Sequence, residues 1–204
     1  MTRRLPLIAL ALAAACTSGP PPPVDDRPYE EQILEWRAQK DFFFRNDGDS
    51  PLLPQDRASF TGLPYYPIDR ALRVPAFLTE ERTTPPVIIA LQTTGAGPDQ
   101  MRKVGTLGFT VNGQPLTLAA FAPPDVRVIT RLFVPFGDAT SGTETYKGGR
   151  YLDLDRTPTG LYDLDFNRAY HPNCVYNIAW ICPIPPRENR LPVPIRAGER
   201  LPPA

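Results

Sequence analysis

Histidine is almost missing from this chain: His171 stands alone among 204 residues, and serine is nearly as scarce, at Ser18, Ser50, Ser59 and Ser141. That scarcity closes most routes to nucleophilic catalysis. No G-x-S-x-G elbow is present, and nothing in the spacing supports a triad of Ser141, His171 and an aspartate. Zinc usually needs three or four Cys or His ligands close together, and the chain has three cysteines in all, so no metal is expected. Gly95 and Gly97 lack a third glycine and a following Lys-Ser/Thr pair, which excludes a Walker-type phosphate loop. No cofactor is expected either. Excess charge is missing too: Lys plus Arg equals Asp plus Glu at 22 each. No global field therefore draws the chain to nucleic acid, which is not an expected partner.

Proline and aromatic residues are what the chain has in plenty. Its 27 prolines exceed twice the usual ~5%. Because proline breaks helices and removes ladder donors, long helices should be few. Ten Phe, eight Tyr and two Trp, with 42% hydrophobic residues, supply the apolar surface that disordered chains lack. At 204 residues one domain with a sizeable core is the default.

The first residues, MTRRLPLIALALAAAC, set Arg3 and Arg4 before an apolar run of eleven residues, 5–15, that is too short to span a bilayer. Residues 1–15 are expected to be a signal peptide. The ending LAAAC resembles a bacterial lipobox, which implies that Cys16 becomes the lipidated first residue of the mature chain, although the usual Leu is Ala13 here. An ordinary cleaved leader with an incidental Cys16 is the alternative. Residues 16–28 then form a tether whose Pro20 to Pro23 favour an extended polyproline II segment at ~3.1 Å per residue. The tether holds the domain on the order of 30 Å from the lipid.

Residues 29–204 read as one β-rich domain. YEEQILEWRAQKDFFF places Tyr29, Ile33, Trp36 and Phe43 or Phe44 on one stripe, predicting an amphipathic N-terminal helix. NDGDSP (46–51) reads as a turn: Asp47 and Asp49 tempt a calcium assignment, but the other EF-hand ligands are out of place. Beyond Arg57 come short apolar runs bounded by Gly, Pro and Asn: ALRVPAFL, PVIIALQT, GTLGFTV, QPLTLAAF and VRVITRLFVPF. They predict a mainly β fold, α+β at the margin, built as an antiparallel β-sandwich or barrel-like domain. Asn112-Gly113 marks the clearest hairpin.

The blocks WRAQKDFFF, SPL (50–52), FTGLPYYPID (60–69), PFGDATSGTETYKGGRYLDL, DFNRAYHPNCVYN and CPIPPRENRL together resemble the bacterial family known as domain of unknown function 1684, over roughly residues 35–199. The resemblance implies no activity or cofactor. Many members look like lipoproteins, which agrees with Cys16, and the family more usually has Asn in the place of His171. With Cys16 spent on lipid, Cys174 and Cys182 are an even pair separated by seven residues, read first as a disulfide of an exported domain. Two buried free thiols and metal ligation are the alternatives.

Polar groups crowd the last blocks. Catalytic candidates are Glu144, Arg150, Asp153, Asp165 and Glu188, one carboxylate acting as base and Arg150 orienting an anionic or carbonyl substrate. Ligand-binding candidates are Tyr146, Arg150, Asn167, Tyr170, Asn177 and Asn189. In the competing reading Arg150 clamps a carboxylate while Asn and Asp hold turns around DFN and ENR. The expected function is that of an exported, lipid-anchored envelope protein on the periplasmic or outer face of a bacterial membrane, binding a small molecule or envelope component through a polar cleft. A carboxylate-based hydrolase is the alternative.

Overall fold

Helix α1 (Tyr29–Asn46) follows directly from the aromatic stripe: Tyr29, Ile33 and Phe44 are its buried residues. The computed structural model describes residues 25–202. The expected signal peptide, Cys16 and the tether as far as residue 24 lie outside the described residues. Glu30 and Glu31 in the first turn and Arg45 in the last complement the helix dipole. The NDGDSP segment is a turn, with Asp47 Oδ1 accepting from Asp49 N and Ser50 Oγ donating to Phe44 O.

Seven antiparallel strands follow: β1 (Arg73–Glu80), β2 (Ile88–Leu91), β3 (Asp99–Val111), β4 (Gln114–Ala122), β5 (Arg131–Phe136), β6 (Arg150–Asp155) and β7 (Leu161–Asp165). The sheet runs β6-β5-β4-β3-β1-β7, with β2 beside β3, and curls into a nearly closed barrel. Its seam lies between β6 and β7, where Tyr29 and Arg73 join Leu154 and Tyr162 in lining the gap. At that seam Tyr29 O–H donates to Asp165 and Arg73 pairs with Asp163. The hairpin forms where Asn112-Gly113 predicts it: φ is 50° and 78° there, and Val111 faces Gln114.

Period-two alternation aims one face of each strand inward. In β1, Val74, Ala76 and Leu78 are buried while Arg73, Pro75, Phe77 and Thr79 are exposed. The interior is filled by side chains, among them Leu107, Leu118, Leu132, Phe136, Leu164 and Phe166, each essentially inaccessible. At about 1.5–3 kcal/mol per buried large side chain, this core holds the barrel together from within.

β4 breaks the alternation. From Leu118 to Ala122 every residue is buried, because Ala119 and Phe121 face outward into a second core with Leu91 and Met101. The late segment of the chain lies over that outer face: Cys182 N–H donates to Thr94 Oγ1, Thr94 N–H to Cys182 O, and Ile184 N–H to Gln92 O. Asn189 completes it. Its Oδ1 accepts from Ala119 N at 2.7 Å, and its Nδ2 donates to Ala119 O at 2.9 Å and Pro135 O at 2.6 Å. β4 and β5 share a single registered pair, Phe121 with Phe133, so this amide stands where ladder bonds would be.

Candidate functional site

The polar residues picked out from the sequence do not converge. Arg150, at the start of β6, is fully buried. Its Nη1 donates to Ala197 O (2.5 Å) and Glu199 O (3.0 Å), and its Nη2 to Ile195 O (2.6 Å) and Asp138 Oδ2 (2.9 Å). Its Nε has no partner. Asp138 is in turn saturated by Thr140 N–H, Thr140 O–H and Ile195 N–H. The planar fork therefore ties residues 195–199 to the barrel. It meets no solvent and orients no substrate.

The carboxylates lie apart. Glu144 takes a bidentate bond from Arg196 and accepts from Tyr66 O–H at the surface, so its carboxyl is held below its ordinary range, chiefly by Arg196. Glu188 pairs with Lys103 at 2.7 Å. Asp165 Oδ1 accepts from Tyr29 O–H, Asn167 N–H and Asn167 Nδ2. This is the Asx-turn expected at DFN, and Asn167 also bonds both Asp69 N and O. Asn177 holds a local turn through Ala179 N–H. Asn189 differs from expectation: it bridges strands instead of capping a turn around ENR.

A second buried network surrounds Glu199, which sequence reasoning passed over. Lys40 Nζ lies 2.5 Å from its Oε1, while Oε2 accepts from His171 N–H (2.7 Å) and Tyr176 O–H (2.9 Å). The ammonium sits 4.3 Å from the Tyr170 ring centre. His171 Nε2 accepts from the Tyr146 amide at 3.2 Å. Burial, aided by the Arg150 and Lys40 cations and opposed by Glu199, pulls the imidazole down to about 4. It is a neutral acceptor, and the acceptor role is one that an Asn side chain can also fill.

Cys174 and Cys182 are free thiols here, so the expected disulfide is not formed in this structure. They are neighbours nonetheless, with Cys174 N–H donating to Cys182 Sγ at 3.2 Å. Burial, with the Cys174 side chain adding to it, pushes the Cys182 thiol up to about 12, which removes it as a nucleophile at neutral pH. Among the described residues, no three His, Cys, Asp or Glu side chains are grouped so as to hold a metal ion.

A cleft of about 630 Å³ lies on the outer face of the barrel. Its floor is a row of rings: Phe133 from β5 meets Tyr151 from β6 at 4.8 Å between centroids, and Tyr151 meets Tyr170 at 5.7 Å, both edge to face. Two residues of the second core region, Met101 and Phe133, belong to the lining. The walls are the segment 123–130 and the segment 172–183. Polar groups are few. Tyr170 O–H donates to Asp153 Oδ2 (2.8 Å), and Tyr151 O–H donates to Pro183 O (2.5 Å); burial raises both phenols far above the ordinary tyrosine range. Asp99 and Arg131 complete the charged lining.

Of the catalytic and ligand-binding candidates, Asp153 and Tyr170 line this cleft, and so does Cys182 of the cysteine pair. Phe133, Met101, Arg131, Val128, Trp180 and Ile181 were missed. The signal for them was an outward-facing ring, Phe133, set between the inward Leu132 and Val134. The arrangement suits reversible enclosure of an apolar group; it holds no nucleophile paired with a base.

Comparison with known proteins agrees with the fold. No curated protein matches this chain. The solution NMR structure of an uncharacterized protein from Haloarcula marismortui is similar to it, with 37% identity and a TM-score of 0.67, over 85% of this chain and 94% of that one. The family described as "Protein of unknown function (DUF1684)" matches residues 58–200, more than half of the chain. This chain therefore belongs to the DUF1684 family.

Proposed function

We propose that this protein binds a small, largely apolar molecule in the outer-face cleft, and that it does so as an exported protein anchored to a bacterial membrane through a lipid on Cys16. The observation that carries the binding reading is the cleft itself, a concavity of about 630 Å³ with a ring floor and few polar groups. Ligand sites typically occupy ~300–1,000 Å³ and have this mix of lining. The hydrolase alternative draws no support from Arg150, whose guanidinium is used within the core, nor from Glu144 and Glu188, which are paired with Arg196 and Lys103. The anchor is supported by LAAAC and by the resemblance of family members to lipoproteins.

Two measurements test this. Titration of the full chain with the neutral fluorophore 1-aminoanthracene should show saturable binding, weakened at least about tenfold by Thr130→Trp, which fills the cleft from an exposed wall position. Equal binding by the variant, or none by the wild type, would sink the cleft reading. Mass spectrometry of the mature protein should find an acylated Cys16 at its N-terminus; a mature end elsewhere ends the anchor reading.

A further inference from the structure

The two most exposed large apolar side chains among the described residues, Ile178 and Val128, lie in or beside the cleft walls, while others such as Phe42 and Leu161 lie elsewhere. Ile178 is 97% exposed, Val128 77% and Ile181 61%. Val128 and Ile181 line opposite walls of the cleft with Trp180, and Ile178 sits two residues before Trp180. Two separate loops thus present bare aliphatic groups and an indole around one apolar opening. A monomer surface seldom exposes such a patch without a partner.

Charge gives no other account of it. Arg131 faces Asp99 and Asp153 in the lining, with Arg127 and Asp125 beside it in the chain, so the mouth carries one net negative charge at most and no strong field for a charged partner. The path of the chain points to a specific occupant. Asp153 lines both the cleft and the neighbouring hollow that Tyr29 and Gln32 line. The start of α1 therefore lies near the cleft. A Trp with Ile and Val around it matches the side chains that settle at the interface of a bilayer.

We infer that the mouth of the cleft, lined by Val128, Trp180 and Ile181 with Ile178 close by in the chain, rests on a lipid surface, and that the cleft takes from it an amphiphile with a single alkyl chain. This rests on the cleft being a binding site. The cleft is sized for one such molecule. The alkyl chain lies along Phe133 and Tyr151, and the polar head stays by Asp153, Tyr170 O–H and Arg131. The tether limits the search to the adjacent lipid.

The test uses the two tryptophans. The full chain carrying Trp36→Phe leaves Trp180 as sole reporter. On phosphatidylcholine vesicles brominated along their acyl chains, Trp180 should lose roughly half or more of its intensity relative to unbrominated vesicles. The contact is apolar, so raising salt should leave that loss unchanged. Adding Ile178→Asp, which lies outside the cleft lining, should sharply reduce it while 1-aminoanthracene binding in lipid-free solution persists, and lysophosphatidylcholine below its micellar concentration should displace the probe. An unquenched Trp180 on a chain retained by the vesicles overturns the inference and leaves the loops as a surface for a protein. Loss of quenching in salt overturns the apolar mode. Quenching with a bound probe that lysophosphatidylcholine cannot displace overturns the ligand class. Absence of probe binding altogether is instead the failure of the cleft reading.

Discussion

Replacing Arg150 with Ala separates the structural use of this residue from a functional one. The change leaves the Asp138 carboxylate, 1% exposed, without its cation, although Thr140 N–H, Thr140 O–H and Ile195 N–H still reach it. Removing one partner of a buried ion pair costs about 3–5 kcal/mol. The carbonyls of Ile195, Ala197 and Glu199 lose their guanidinium donors as well, and each such loss costs on the order of 1 kcal/mol. These terms overlap, so an expected total of about 4–6 kcal/mol is reasonable, a large part of the ~5–15 kcal/mol that holds a domain together. With a urea slope of about 2 kcal/mol/M, the unfolding midpoint should fall by roughly 2–3 M. Circular dichroism across a urea series measures it, with Arg150→Lys as the variant that keeps the charge and loses the fork. At temperatures where the Ala variant remains folded, its affinity for 1-aminoanthracene should equal the wild type's. A loss of stability below about 1 kcal/mol, or binding that collapses in a folded variant, would refute the assignment of Arg150 to the core.

The remaining expectations concern pH, redox state and backbone. His171 is held neutral, its pKa pulled from the ordinary 6.5 down to about 4; between those values the unfolded chain binds a proton that the folded one refuses. Stability is therefore full above pH ~6.5 and declines as pH falls towards ~4, by up to roughly 3 kcal/mol. Thermal melts from pH 7 to 4 should show this limb flattened in His171→Asn, and an unchanged limb would show that His171 is not its source. Treating the protein with oxidised glutathione should close Cys174 and Cys182 into a disulfide, their two protons and two electrons passing to the glutathione pair. The product is lighter by two hydrogens and more stable by about 2–3 kcal/mol; persistence of two titratable thiols contradicts this. Gly105→Ala should cost about 1–3 kcal/mol by overpacking, because a Cβ there would stand 2.3 Å from the Thr79 carbonyl oxygen, and a urea midpoint equal to the wild type's would refute it.

The fold was legible wherever a local rule decided it. Spacing of Tyr29, Ile33 and Phe44 marks the helix, Asn112-Gly113 the hairpin, and DFN the Asx-turn, because each is settled by neighbours a few residues away. The site was not legible, for the opposite reason. The cleft gathers Asp99, Phe133, Asp153, Tyr170 and Trp180 from five parts of the chain, and no spacing reports which outer face a late loop will cover. Density of polar residues misled: Arg150, Asn167 and Asn189 are as polar as any catalytic group, yet all three are essentially inaccessible. What concentrates them is the need to satisfy buried backbone groups where strands do not pair. Glu199 was missed because its partners, Lys40, His171 and Tyr176, are brought to it only by the finished fold.

The single amide of Asn189 has a consequence for the order of assembly. It supplies the bonds that join the middle of β4 to the end of β5, and the Arg150 fork closes on residues 195–199, six to ten positions further on. A ribosome that has made everything through β7 has delivered all seven strands, yet Ala119 and Pro135 still lack their partner and Arg150 still faces an open core. The barrel is thus latched by residues that follow all seven strands in the chain, and it stays open until they have been made.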